Sequence, residues 1–184
     1  MAGRPRKERH AWNEPGHAHF FTYSCAHRWP LLSSDRTRRW VIDALEETRH
    51  RLEVALWAYV IMPEHVHLLC LPRRTDYRCE SILGSLKRGV SGHAKQHLVA
   101  TGNREWLERL TVTHSHRVVF RFWQPGGGYD RNVWQNRSVP QLIDYIHGNP
   151  VRRELVRDPL EWPWSSARFW EDGSGPLKMD PLEL

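Results

Sequence analysis

Apolar and polar positions recur along this chain with two different periods, and the switches between them divide it into strands and helices. Over residues 17–26 the aromatic and β-branched residues Phe20, Phe21, Thr22 and Tyr23 predict a first strand. Ser33 or Ser34 can then cap a helix ending at about Leu52, with Trp40, Val41, Ala44, Leu45 and Leu52 on one apolar stripe. Residues 54–62 read as a buried strand, Pro63 and Glu64 as a turn, and residues 65–71 as the returning strand of a hairpin. A second helix is predicted over about 79–98, with Ile82, Leu83, Leu86 and Val90 inward and Lys87, Arg88 and Lys95 outward; Gly84, Gly89 and Gly92 weaken it.

Residues 100–118 lose the periodicity and read as a polar, irregular excursion ahead of a strand at about 118–123. Gly126-Gly127-Gly128 permits a sharp bend, and residues 129–134 read as a further short strand. Ser138 or Pro140 starts a helix carrying Tyr145, and Pro150 ends it or begins another. The aromatic run Trp162-Pro163-Trp164-Ser165-Ser166-Ala167 is suited to packing back onto the domain. Strand, helix, strand, strand, helix, strand is the order of an α+β, ferredoxin-like split βαβ sheet. Such a sheet carries helices on one face and leaves the other open, where a helix arriving late in the chain can bring Tyr145. The expected division is a basic arm over residues 1–16, one domain over 17–155 and a C-terminal tail over 156–184.

At 184 residues, 40% of them hydrophobic, the chain suits one core rather than two. A formal net charge of +6, with histidines counted neutral, favours polyanions such as nucleic acid or anionic lipid. Residues 3–9 form a basic stretch able to lie along phosphates. Cys25, Cys70 and Cys79 form no C-x-x-C pair, which argues against a disulfide framework and against a structural zinc cage, and fits a reducing cytosol. No apolar run approaches the roughly 20 residues that span a bilayer, and the basic start lacks a signal peptide's apolar segment. A cytoplasmic protein is expected.

The chemistry concentrates in two segments. In Met62-Pro63-Glu64-His65-Val66-His67-Leu68-Leu69 the histidines stand at i and i+2, so a strand projects both from one face and the two imidazoles can grip one metal ion. The competing reading is a hydrogen-bonded histidine pair at a sheet edge. Glu64, at odd offset, is expected on the opposite strand face. Downstream, Tyr145 and, four residues on, Asn149 offer a phenol and an amide that can complete a three-ligand site; each can equally serve packing or a helix end. Lys87, Arg88, Arg131, Arg137, Arg152 and Arg153 are candidate phosphate contacts, with ordinary solvation as the alternative. Of the ten tryptophans, Trp40 and Trp57 sit in core-like positions, Trp162 and Trp164 suit anchoring the tail, and Trp123 or Trp134 can stack unpaired bases. Gln124 and Asp130, beside the glycine run, are placed to shape the site.

The histidine segment together with Ser85-Leu86-Lys87-Arg88, Phe122-Trp123-Gln124, Tyr129-Asp130-Arg131, Tyr145-Ile146-His147-Gly148-Asn149-Pro150-Val151-Arg152 and Trp162-Pro163-Trp164-Ser165-Ser166 resembles the successive signatures of REP-associated tyrosine transposases. These are single-tyrosine members of the HUH nuclease superfamily, and the resemblance covers residues 17–168. It implies an HUH-type active site on the open sheet face and cleavage of single-stranded DNA beside a hairpin. It also implies a divalent metal, Mg²⁺ or Mn²⁺, and a 5′-phosphotyrosine intermediate. Carried onto matching positions, Tyr145 is the nucleophile, His65, His67 and Asn149 hold the metal, and His147 turns away. The resemblance further implies a monomer acting in cis, a dimer being the alternative. Two other functions stay open: a catalytically silent hairpin-DNA-binding protein, and an unrelated metal-dependent hydrolase, which needs a carboxylate to activate water.

Overall fold

The computed structural model describes residues 13–114, 116–133 and 138–182. In chain order these build β1 (Ala18–Ser24), α1 (Asp35–Leu52), β2 (Val54–Ile61), β3 (His65–Pro72), α2 (Cys79–Ala100), α3 (Arg104–Arg109), β4 (Thr111–His114), β5 (Arg117–Phe120), β6 (Tyr129–Val133), α4 (Val139–His147), α5 (Asn149–Arg152) and α6 (Ala167–Asp172). Four strands form an antiparallel sheet in the order β2-β3-β1-β6, the ferredoxin-like order expected. Residues 1–12 of the basic arm, Trp134 and Arg137 lie outside the described residues.

Alternation along the strands decides which layer each side chain joins. Phe21 and Tyr23 of β1 and Val66, Leu68 and Cys70 of β3 face α1 and α2, where they meet Val41, Leu45, Ile82, Leu86 and Val90 in one core. Ala18 and Phe20 of β1 and Leu69 and Leu71 of β3 face the other way, against Val139, Leu142, Ile143 and Ile146 of α4. A bulge between Leu56 and Ala58 shifts the register of β2, so that Trp57 and Ala58 join this second core together. The sheet face predicted to be open is therefore covered by α4 over β2 and β3, and every residue of those two strands is buried.

Local signals set the helix limits. Ser34 Oγ accepts from Thr37 N at 3.2 Å to start α1, and Glu53 in the left-handed region (φ 51°) ends it. Residues of α2 remain helical through all three glycines because its inward stripe is buried, and burial outweighs propensity. Residues 100–118 differ from expectation: they fold as α3 followed by the hairpin β4–β5. The expected strand at 118–123 accordingly pairs within that hairpin, and β6 takes the edge of the main sheet.

The tail packs back along the outer edge of β2. Ile61 N donates to Trp164 O at 2.8 Å, Ser166 N to Tyr59 O at 3.0 Å, and Asp180 N to Leu56 O at 2.8 Å, while Leu56 N donates to Asp180 Oδ2 at 2.8 Å. Indole N–H groups of Trp162 and Trp170 bond to Ile61 O and Trp57 O. Backbone groups that an edge strand would leave unpaired are thus satisfied by the chain's own tail. Among the described residues no helix is long and apolar enough to cross a membrane.

Candidate active site

His65 and His67 open β3, on the central part of the sheet, and both are buried. Register places Ser24 opposite His65 and Thr22 opposite His67. Each ring is held at Nδ1 by an oxygen: His65 by Glu64 Oε1 at 3.0 Å and His67 by Thr22 Oγ1 at 2.7 Å. The two Nε2 atoms converge at 3.1 Å. A carboxylate only accepts, so the proton of neutral His65 sits on Nδ1 and its Nε2 carries the ring's lone pair, facing His67 Nε2.

Burial pushes the pKa of both histidines down. For His67, burial, then His65 and Arg152, take it to about 3. For His65, burial outweighs the opposing pull of Glu64. Both rings are therefore neutral at ordinary pH, the form that binds a metal. Two imidazole nitrogens bound to one ion stand about 2.9–3.3 Å apart, from bond lengths near 2.0–2.1 Å. The observed separation fits, and the oxygens on both Nδ1 atoms supply the outer support such ligands use.

Glu64 corrects the sequence reading. It sits in the turn before β3 rather than on the far strand face, and bonds both His65 and Arg153, whose Nη1 lies 3.2 Å from Oε1. Thr22, which sequence reasoning did not single out, faces the site through the same alternation that places Phe20 there.

From the opposite side, α4 delivers Tyr145. Its ring centroid lies 5.6 Å from that of His67 and 5.9 Å from that of Phe20, which itself stacks on His67 at 5.4 Å. With Ile143 and Ile146 buried on the sheet, Tyr145 falls at the margin of the helix's apolar face and remains 43% exposed. Arg152 of α5 lies over the Tyr145 ring, 4.3 Å from its centroid, and donates to the Tyr145 carbonyl. Asn149 is buried at the α4–α5 junction, where its carbonyl accepts from Arg153 N. His147 turns away, its Nε2 2.8 Å from Ser166 Oγ in the tail.

The other candidates separate. Arg131 is exposed on β6 opposite Phe20, on the tyrosine side. Lys87 and Arg88 lie on α2, across the sheet, bordering a groove with Ser91, Arg121 and Gln124. Lys87 Nζ donates to Gly126 O at 2.7 Å, and burial lowers its pKa. Trp123 is buried and donates to Lys87 O, so it is core rather than a stacking platform. Asp130 is opposite Phe21, on the α1–α2 side, and does not shape the tyrosine site.

Fold and site together define a class: ferredoxin-like α+β proteins with an H-x-H strand beneath a helix-borne tyrosine. Over 159 residues the chain is 23% identical to a Haemophilus influenzae protein named "Putative REP-associated tyrosine transposase", the match covering 79% of this chain and 81% of that one. In fold it is similar to a solved REP-associated tyrosine transposase bound to a REP hairpin, with a TM-score of 0.68 and 20% identity over 97% of this chain and 94% of the other. No family model matches the chain. In sequence and in fold, the chain is similar to REP-associated tyrosine transposases.

Proposed function

We propose that this chain is a metal-dependent single-stranded DNA endonuclease and strand transferase that cuts beside a hairpin through Tyr145. The observation that carries this reading is the convergence of His65 Nε2 and His67 Nε2 at 3.1 Å, with the Tyr145 ring 5.6 Å from His67 on a separate helix. The named transposase relative and the hairpin-bound fold neighbour support DNA as the substrate. His65 and His67, with Asn149 as the third ligand, hold the divalent ion, which when bound masks phosphate charge and stabilises the leaving oxygen.

Tyr145 Oη attacks phosphorus in line, forming a 5′-phosphotyrosine as the P–O3′ bond breaks; the phenol gives up its proton to solvent, and solvent returns one to the departing 3′ oxygen, which leaves as a hydroxyl. That intermediate keeps the phosphodiester's reactivity, so a second 3′-hydroxyl can displace the tyrosine and join strands without a nucleotide cofactor. Arg152 over the tyrosine ring, and Arg131 on the same sheet face opposite Phe20, suit contacts to the DNA backbone. Arg153 is committed to Glu64, and that commitment also weakens the hydrolase reading, since Glu64 is engaged as an orienting group instead of a water base. A cytoplasmic protein acting as a monomer completes the proposal.

The test is incubation with Mn²⁺ and hairpin-bearing single strands taken from the DNA flanking its own gene, run on a denaturing gel. A covalent protein–DNA band that disappears in Tyr145→Phe, with binding retained, is the expected result. Binding without an adduct in the wild type identifies a silent hairpin binder. Cleavage that survives in Tyr145→Phe identifies a hydrolase.

A further inference from the structure

On the opposite side of the sheet lies a second cluster of metal-ligating side chains. His19 of β1 is fully buried, Cys79 opens α2, and Asp130 comes from β6; one ligand atom from each falls within 4.8 Å of the others. His19 Nδ1 is 2.9 Å from Asp130 Oδ1, and Cys79 Sγ is 3.4 Å from His19 Nδ1 and 3.6 Å from Nε2.

Hydrogen-bond directions expose a conflict there. Tyr77 OH donates to Glu14 O at 2.9 Å, which uses its only proton. The same oxygen lies 2.7 Å from His19 Nε2, so it must accept from Nε2–H. In a neutral ring this leaves a lone pair on Nδ1, aimed at a carboxylate oxygen that carries only lone pairs. Something positive belongs between them. A proton on Nδ1 would answer that one contact, yet Asp130 Oδ2 is also buried and without a partner. A proton on Nδ1 does nothing for that oxygen.

We propose that His19, Cys79 and Asp130 bind one zinc ion, at a site separate from the His65–His67 pair. The donors are an imidazole nitrogen, a thiolate and a carboxylate oxygen, a set suited to Zn²⁺. Tetrahedral zinc with ordinary bond lengths sets neighbouring donors about 3.3–3.6 Å apart; the Cys79–His19 spacing of 3.4 Å falls in that range, and the 2.9 Å between His19 and Asp130 would have to open by about 0.4 Å. Cys79 Sγ sits beside the ring instead of on the Nδ1 lone-pair axis, so closing the site requires Cys79 to turn about χ1. Burial, reinforced by Asp130, raises the thiol's pKa, and binding of the ion would release that proton. Tyr77 is the outer group that fixes the tautomer of His19. Cys79 and Asp130 are far from His19 in sequence, which is why the lack of C-x-x-C pointed away from zinc. The ion would clamp β6, which among the described residues has β1 as its one sheet neighbour, to the start of α2.

The test uses the full chain carrying His65→Ala and His67→Ala, so that only this site is counted. After purification from zinc-supplemented medium without chelator, elemental analysis should find one zinc per chain, lost in Cys79→Ser and in Asp130→Asn. Cobalt exchanged into the same protein should give a near-ultraviolet thiolate-to-cobalt band that Cys79→Ser removes. This band on the parent protein keeps the test decisive if a variant fails to fold. Folded parent protein with neither zinc nor the band overturns the proposal, as does full zinc occupancy in both folded variants.

Discussion

Thr22 Oγ1 and His67 Nδ1 are 2.7 Å apart, so a hydroxyl on β1 orients a histidine on the neighbouring strand. The hydroxyl can donate or accept, and when His67 Nε2 binds an ion it accepts the Nδ1 proton. Thr22→Val keeps the shape and deletes this partner. Mn²⁺ affinity measured by calorimetry should fall about 10–100-fold, and Thr22→Ser should restore most of it. Equal affinity in wild type and Thr22→Val would show that Thr22 has no part in metal binding.

Glu64 serves His65 and Arg153 at once, and the two services can be separated. Glu64→Ala removes the group that fixes the His65 tautomer and should weaken Mn²⁺ binding about 10-fold or more. Arg153→Ala breaks only the ion pair, and its metal affinity should stay near wild type. If both variants lose metal equally, the ion pair is what positions Glu64.

Gly128 has φ +74°, and a Cβ there would lie 2.3 Å from the backbone oxygen of Thr22. Gly128→Ala must displace β1 at the residue that holds His67. Urea titration should show a loss of at least about 2 kcal/mol. Gly126, at φ +87° with open space around it, is the control. Gly126→Ala should cost only the left-handed penalty of about 1–2 kcal/mol.

Acid should destabilise the protein through its buried histidines. Burial lowers His147 from 6.5 to about 4 and His67 from 6.5 to about 3, and it lowers His65 as well. Below pH 6.5 the unfolded chain takes up protons that the folded chain refuses, so stability falls as pH drops from about 6.5 toward 3 and is complete only above that range. Melting temperatures in chelator should follow this slope, and His147→Gln should flatten its upper part, between about pH 6.5 and 4. A slope unchanged by His147→Gln would show that the ring titrates normally in the fold.

What sequence revealed here depended on range. The succession of strands and helices, the serine cap of α1 and the shared face of His65 and His67 follow from local period and were legible. Glu64 was misplaced because strand alternation was extended one residue past the start of β3, into a turn where it does not apply. Thr22, and Asp130's true neighbours, depend on cross-strand register, which no single segment encodes. Residues 100–118 hid a hairpin because its Val118 and Val119 are exposed, so no buried stripe marks it. Trp123 looked available for stacking only because its indole acceptor, the Lys87 carbonyl, lies on a helix far away in sequence.

Ser166 bonds to Tyr59 through backbone and side chain and receives His147 on the same hydroxyl, so the C-terminal segment ties the tyrosine helix to β2 of its own chain. In proteins that exchange an element between copies, the exchanged helix must leave its parent core and dock on another. Here that exchange would tear out the Ser166 linkage and strip the outer edge of β2 as well. The tether thus acts as an ownership device: each copy keeps its own Tyr145, and on the function proposed above, cleavage at two DNA ends would be done by one molecule twice or by two complete molecules.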